Sequence, residues 1–141
     1  MSSVYDKAIK LLKIRPHHSG ELTKKLLMRG FSREEVEGVI QKLQEENLID
    51  NDRFVQLYLD ELLRNKTYGF YGLKSKLMQR GIASNEAEAA LKANLTFELE
   101  LELAKKVLNK SGNLPKPKIA QRLSSKGFRN DVIRTILQDF C

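Results

Sequence analysis

The chain has 141 residues, of which 41% are hydrophobic and 30% charged, with a formal net charge of +7 and a single cysteine. That length holds one ordinary domain or three small modules; one cysteine, Cys141, excludes an internal disulfide framework, and no apolar run reaches the length of a membrane span. The excess of base points to an acidic partner, nucleic acid or acidic protein surface, and the lack of a secretory h-region points to the cytoplasm.

The first expected helix covers 4–14, with Ala8, Leu11 and Leu12 inward. Arg15-Pro16 ends it, because a residue before proline is pushed out of the helical region. His17 and His18 follow with no cysteine or acidic cluster beside them, so they read as a surface turn and not as metal ligands. Ser19 is the expected cap of a second helix running to Arg29, which Gly30 stops in the left-handed conformation. Ser32-Arg33-Glu34-Glu35 has the pattern of a capping box and opens a third helix, 33–46, with Val36, Val39 and Ile40 on its apolar stripe.

Leu48-Ile49-Asp50-Asn51-Asp52-Arg53-Phe54 then starts the pattern again, with Asp50 as cap and Asp52 suited to the first turn. As metal ligands these two aspartates lack a third partner nearby. The helix at 52–66 has a wide face of Phe54, Leu57, Tyr58 and Leu62, broadened by Val55 and Leu59, and reads as the central buried helix. In Tyr68-Gly69-Phe70-Tyr71-Gly72 the rings are expected to plug gaps between helices, with Tyr68 or Tyr71 as the exposed exception able to stack on an unpaired base. A helix at 73–80 ends at Gly81, and Ser84 caps the next, which carries Ala87, Ala90 and Leu91.

Residues 97–103 alternate as Phe-Glu-Leu-Glu-Leu-Glu-Leu, a strand pattern with no second strand to pair with. The repeat requires a helix instead, since Ala104, Val107 and Leu108 match Ala8, Leu11 and Leu12. A helix at 97–110 would bury Leu99, Leu103, Val107 and Leu108 and pair Glu102 with Lys106. Gly112 stops it, Pro115 and Pro117 stiffen the loop, and helices at 117–126 and 130–139 finish the chain, the last capped by Asn130 and carrying Ile133, Ile136 and Leu137.

One phrase thus occurs three times: Leu22, Leu26, Arg29-Gly30-Phe31; Leu73, Leu77, Arg80-Gly81-Ile82; Ile119, Leu123, Lys126-Gly127-Phe128. The expected fold is all-α, three tandem three-helix repeats at 1–47, 48–94 and 95–141 forming an elongated, curved array. The repeats carry +2, +1 and +4, and within 103–134 nine bases meet one acid, Asp131. No phosphate loop, catalytic carboxylate pair or nucleophile–histidine arrangement is present, so neither an enzyme nor a cofactor is expected. The recurring surface feature is a basic pair at i,i+4 before each glycine: Lys25 and Arg29, Lys76 and Arg80, Arg122 and Lys126, extended by Lys118. Cations in a last helical turn also complement the helix dipole. These seven are the candidate partner-binding residues.

The chain resembles the RecX family of bacterial recombination regulators. The likeness rests on Leu48-Ile49-Asp50-x-x-Arg53-Phe54, Tyr68-Gly69 leading to Leu73 and Leu77, Gln79-Arg80-Gly81-Ile82 and Lys126-Gly127-Phe128, with Asn51, Thr67 and Phe70 departing from the usual pattern. The resemblance implies a non-enzymatic protein that binds the RecA filament on single-stranded DNA, inhibiting its growth, ATP hydrolysis and strand exchange. A monomer is expected. The rival reading is a helix-turn-helix protein for duplex DNA, a class in which three-helix units with a basic second or third helix are common; against it, Glu34, Glu35 and Glu37 make the first copy's third helix acidic.

Overall fold

A computed structural model describes residues 3–141. Among them are nine helices and no strand: α1 (Ser3–Ile14), α2 (Ser19–Met28), α3 (Arg33–Glu45), α4 (Asn51–Asn65), α5 (Phe70–Gln79), α6 (Ser84–Asn94), α7 (Phe97–Lys110), α8 (Lys116–Ser125) and α9 (Asn130–Asp139). They pack in triplets, α1 to α3, α4 to α6 and α7 to α9. The first triplet has its own core, built on Ala8, Leu22, Leu26, Val36 and Leu43. The second and third share one, running from Leu59 and Leu73 through Leu91 and Leu103 to Leu123 and Ile136.

The three glycine stops have φ of 95° at Gly30, 87° at Gly81 and 83° at Gly127. After each, the next residue turns its N–H back to the helix: Phe31 to the Leu26 carbonyl, Ile82 to Leu77 and Phe128 to Leu123. This return bond satisfies carbonyls that a helix end otherwise leaves open. Helices α3, α6 and α9 all begin three residues after the glycine, so the N-caps are Ser32, Ala83 and Arg129. Ser32 forms the expected capping box with Glu35. Ser84 and Asn130 are the first helical residues and not the caps, because the connector keeps its length whether or not its second residue can cap.

Two of the stops are also seats. The N–H groups of Gly69 and Tyr71, at the start of α5, donate to the carbonyls of Lys126 and Gly127 at 3.0 and 2.8 Å. Carbonyls at the end of α8 thus serve two of the amides that open α5 and would otherwise lack helical partners. A Cβ on Gly127 would lie 2.0 Å from the Gly72 nitrogen. The start of α2 meets the end of α5 in the same way: a Cβ on Gly20 would lie 2.0 Å from the Gly81 oxygen, and one on Gly81 2.3 Å from the Glu21 nitrogen. The second helices of the triplets therefore stack end to end. Around Gly30, by contrast, nothing lies within 4 Å of the added carbon. Gly30→Ala should cost only the conformational penalty, about 1 kcal/mol. Gly127→Ala adds a backbone clash and should cost roughly 2–3 kcal/mol. Urea unfolding of both variants checks the contrast, and equal losses would mean that the seat yields freely.

Several faces are rotated from their expected positions. In α4 the buried residues are Val55, Leu59 and Leu62, while Leu57 is 54% exposed. This helix is not buried all round: α5 and α6 cover one side of it, and the first triplet touches it through Asn51 and Phe54 near its start. In α7, Glu100 is fully buried beside Leu103, Ala104 and Val107, and Leu99 turns outward. Glu102 pairs with Lys105 at i,i+3 rather than with Lys106. In α9, Val132 and Ile136 are buried, with Ile133 and Leu137 half-buried.

The two histidines are the largest correction. Both are buried, and neither belongs to a surface turn. His18, not Ser19, caps α2: its Nδ1 accepts the Gly20 N–H at 2.9 Å, and Nε2 lies 3.1 Å from Glu86 of α6. Ser19 instead exchanges hydrogen bonds with Asn51. His17 Nε2 is 2.9 Å from the Lys25 ammonium and Nδ1 is 2.9 Å from the Arg15 carbonyl. An ammonium only donates and a carbonyl only accepts, so this ring is neutral with its proton on Nδ1. Burial pushes the His17 pKa below its ordinary value; the Arg15 carbonyl and Glu21 oppose that, and the charges of Lys25 and Arg15 add to it. The unfolded chain therefore binds this proton more readily. Stability from His17 is complete above about pH 6.5 and is lost as pH falls through the lowered folded value. The urea midpoint should thus fall below pH 6.5 in the wild type and be less pH-sensitive in His17→Asn.

A candidate basic cleft

The strongest concentration of charge lies between the second and third triplets. Helix α4 ends by presenting Arg64, and Lys66 follows as its C-cap. Lys106 and Lys110 are one turn apart on α7 and share a face. Arg122 lies in the last turn of α8, and Lys126 is its C-cap. The stacking of α5 on α8 fixes this last position, since the Lys126 carbonyl that accepts the Gly69 amide brings the residue beside Tyr68.

Together these side chains line two adjoining hollows of about 280 and 270 Å³ that share Thr67, Lys110 and Lys126. Six bases line them and no carboxylate does. Among the described residues none of the six has a carboxylate within 4.0 Å. The cluster is held by neutral anchors. The ammonium groups of Lys76 and Lys126 lie 5.5 and 5.6 Å from the centre of the Tyr68 ring, within cation–π range. Arg122 donates to the Ser111 hydroxyl at 3.1 Å, and that hydroxyl donates to the Val107 carbonyl.

The seven sequence-derived candidates do not form one surface. Arg122 and Lys126 line the cleft, and Lys76 borders it through Tyr68. Lys118 is exposed on the first turn of α8 and does not line it. Lys126 falls just past the last helical residue, so the three do not make one straight helical edge. Arg80 turns to another side, its guanidinium 4.3 Å from the centre of the Tyr58 ring. Lys25 is tied to His17, and Arg29 is exposed at the end of α2. Phe70 is buried as a plug and Tyr71 is 58% exposed, while Tyr68 is half-buried and engaged by the two lysines.

Sequence reasoning left Arg64, Lys66, Lys106 and Lys110 out of the candidate set. The acid-free run and the i,i+4 spacing of Lys106 and Lys110 were the available signals. A concave, unneutralised set of ammonium and guanidinium groups binds polyanions, either phosphodiester or acidic protein. Among the described residues no group of three or more histidine, cysteine, aspartate or glutamate side chains could hold a metal ion. No described helix is long and apolar enough to cross a membrane.

Comparison with known proteins places the chain among relatives. Residues 5–43 match the family model described as RecX, first three-helix domain. The regulatory protein RecX of Chlorobaculum tepidum is 32% identical over 136 residues, covering 94% of this chain and 85% of the relative. The regulatory protein RecX of Streptococcus agalactiae is 31% identical over 124 residues, covering 84% of this chain, which spans only 48% of that longer protein. The crystal structure of RecX from Lactobacillus salivarius superposes with a TM-score of 0.81 at 28% identity, covering 96% of this chain and 93% of that one.

Proposed function

The chain belongs to the RecX family of regulatory proteins, and from that premise we propose that it binds the RecA recombinase filament on single-stranded DNA and inhibits filament growth, ATP hydrolysis and strand exchange. The observation that carries this reading is the cleft: six bases with no carboxylate among them, matched to a polyanionic assembly. In this reading the protein acts as a cytoplasmic monomer without catalysis of its own. The repeats 1–47, 48–94 and 95–141 serve as one curved body long enough to bridge neighbouring RecA protomers.

Helix α3 gives the helix-turn-helix alternative little support, since Glu34, Glu35 and Glu37 are all exposed on it. A major groove lined by phosphate would repel that face. Added to preformed RecA filaments, the protein should lower single-stranded-DNA-dependent ATP hydrolysis at substoichiometric amounts. A footprint on duplex DNA with ATP hydrolysis unchanged would refute the proposal.

A further inference from the structure

A second concavity, of about 440 Å³, lies on the opposite seam, between the first and second triplets. Its floor and rim have a composition unlike that of the cleft. Leu48, Phe54, Leu57 and Tyr58 supply apolar surface, and Arg53 and Arg80 stand at the edge. Leu48 and Leu57 are 49% and 54% exposed, so neither serves the core. Neither Arg53 nor Arg80 has a carboxylate within 4.0 Å among the described residues. Arg15, also in the wall, is already paired with Glu21. Two carboxylates line the groove: Asp50, whose oxygen accepts the Arg53 N–H as the cap of α4, and Glu61, about three turns further along that helix.

Part of the stretch Leu48–Phe54 is explained by folding: Asp50 caps α4, and Phe54 packs against His18 and Tyr58. Leu48 and Arg53 are not explained that way, since both face the groove and neither holds the fold together. An exposed apolar patch marks an interaction surface, and tyrosine and arginine beside it are residues enriched at protein-binding cores. The cleft is lined by six bases and no carboxylate, with Tyr68 and Val107 as its apolar side chains, a charge balance suited to phosphate. The two concavities therefore suit different classes of ligand.

We propose that this groove is a second docking site, and that it takes a protein segment carrying an apolar anchor flanked by aspartate or glutamate. The anchor fills the space between Leu48 and Leu57, and its carboxylates meet Arg53 and Arg80. The inference rests on the filament reading above, with the acidic segment lying on the protein face of the filament. It predicts that Leu57→Glu and Arg53→Glu each weaken filament binding at least tenfold with the circular dichroism spectrum unchanged, while Arg134→Glu, an exposed change on α9, does not.

The deciding experiment is photo-crosslinking on RecA filaments assembled on single-stranded DNA. One chain carries Leu57→p-benzoylphenylalanine in the groove, and another carries Lys110→p-benzoylphenylalanine in the cleft. Crosslinks from position 57 to a RecA peptide rich in aspartate or glutamate support the groove proposal. Crosslinks from position 57 to DNA, or none there while position 110 crosslinks, overturn it and leave the filament reading standing. No crosslink at either position, with ATP hydrolysis untouched, overturns both. Wild-type affinity in Leu57→Glu also overturns the groove proposal.

Discussion

Glu100→Ala should destabilise the chain by about 3–5 kcal/mol, the range for removing one partner of a buried charge pair. Glu100 is fully buried, and every hydrogen bond its carboxylate makes joins α7 to another element. Its Oε1 accepts from Arg129 Nε at 2.6 Å, and Oε2 accepts the backbone N–H groups of Phe70 and Arg129, each at 3.0 Å. One carboxylate thus ties the start of α5 to the cap of α9. The Arg129 guanidinium completes the arrangement by lying 4.7 Å from the centre of the Phe70 ring. Alanine would leave two amides and a guanidinium without their acceptor, at a place where Glu100 has no exposure and the Arg129 side chain 30%. Glu100→Gln should lose less, because its carbonyl oxygen can still take the two amides, although its NH₂ then faces another donor, Arg129 Nε. Urea unfolding measures both. A loss under about 1 kcal/mol for Glu100→Ala would mean that water replaces the carboxylate at little cost.

The sequence announced Glu100 poorly for a physical reason. In Phe-Glu-Leu-Glu-Leu-Glu-Leu the three glutamates are locally equivalent, and the partner that selects the middle one, Arg129, is 29 residues away. The helix itself was legible, because Ala104, Val107 and Leu108 repeat an earlier spacing and a lone strand has nothing to pair with. Glycine stops were legible for a similar reason: the φ requirement is local and shows in the residue type. Gly20 and Gly72 were not, since the close backbone approach they permit joins different triplets and leaves no mark on apolar periodicity. His17 and His18 likewise became interior groups through partners beyond their own turn, Lys25 for the first and Phe54 and Glu86 for the second. The basic pairs were found, but the end-to-end stacking of second helices decides which of them meet. It turns Lys126 toward Lys110 and sends Arg80 to the opposite seam.

That redistribution sets the sharpest functional expectation. Replacing Lys106, Lys110 and Lys126 together by glutamate should weaken filament binding on the order of a hundredfold or more, because it reverses three of six clustered charges. Lys106 and Lys110 are exposed, and Lys126 is held at the cleft through its backbone as well as its side chain. The fold therefore keeps its bonds, and separating like charges should leave melting nearly unchanged or slightly raised. Lys118→Glu, outside the cleft, is the first control, and Arg29→Glu with Arg33→Glu on the first triplet is the second. The salt dependence identifies the ligand. Against single-stranded phosphate each lost contact should reduce the slope of log affinity on log salt by about 0.7. Against acidic protein surface the wild-type slope is shallow, and free single-stranded DNA does not compete. Equal losses from the cleft and from both controls would assign binding to overall charge, and an unchanged affinity in the cleft variant would make those six bases a solvated face.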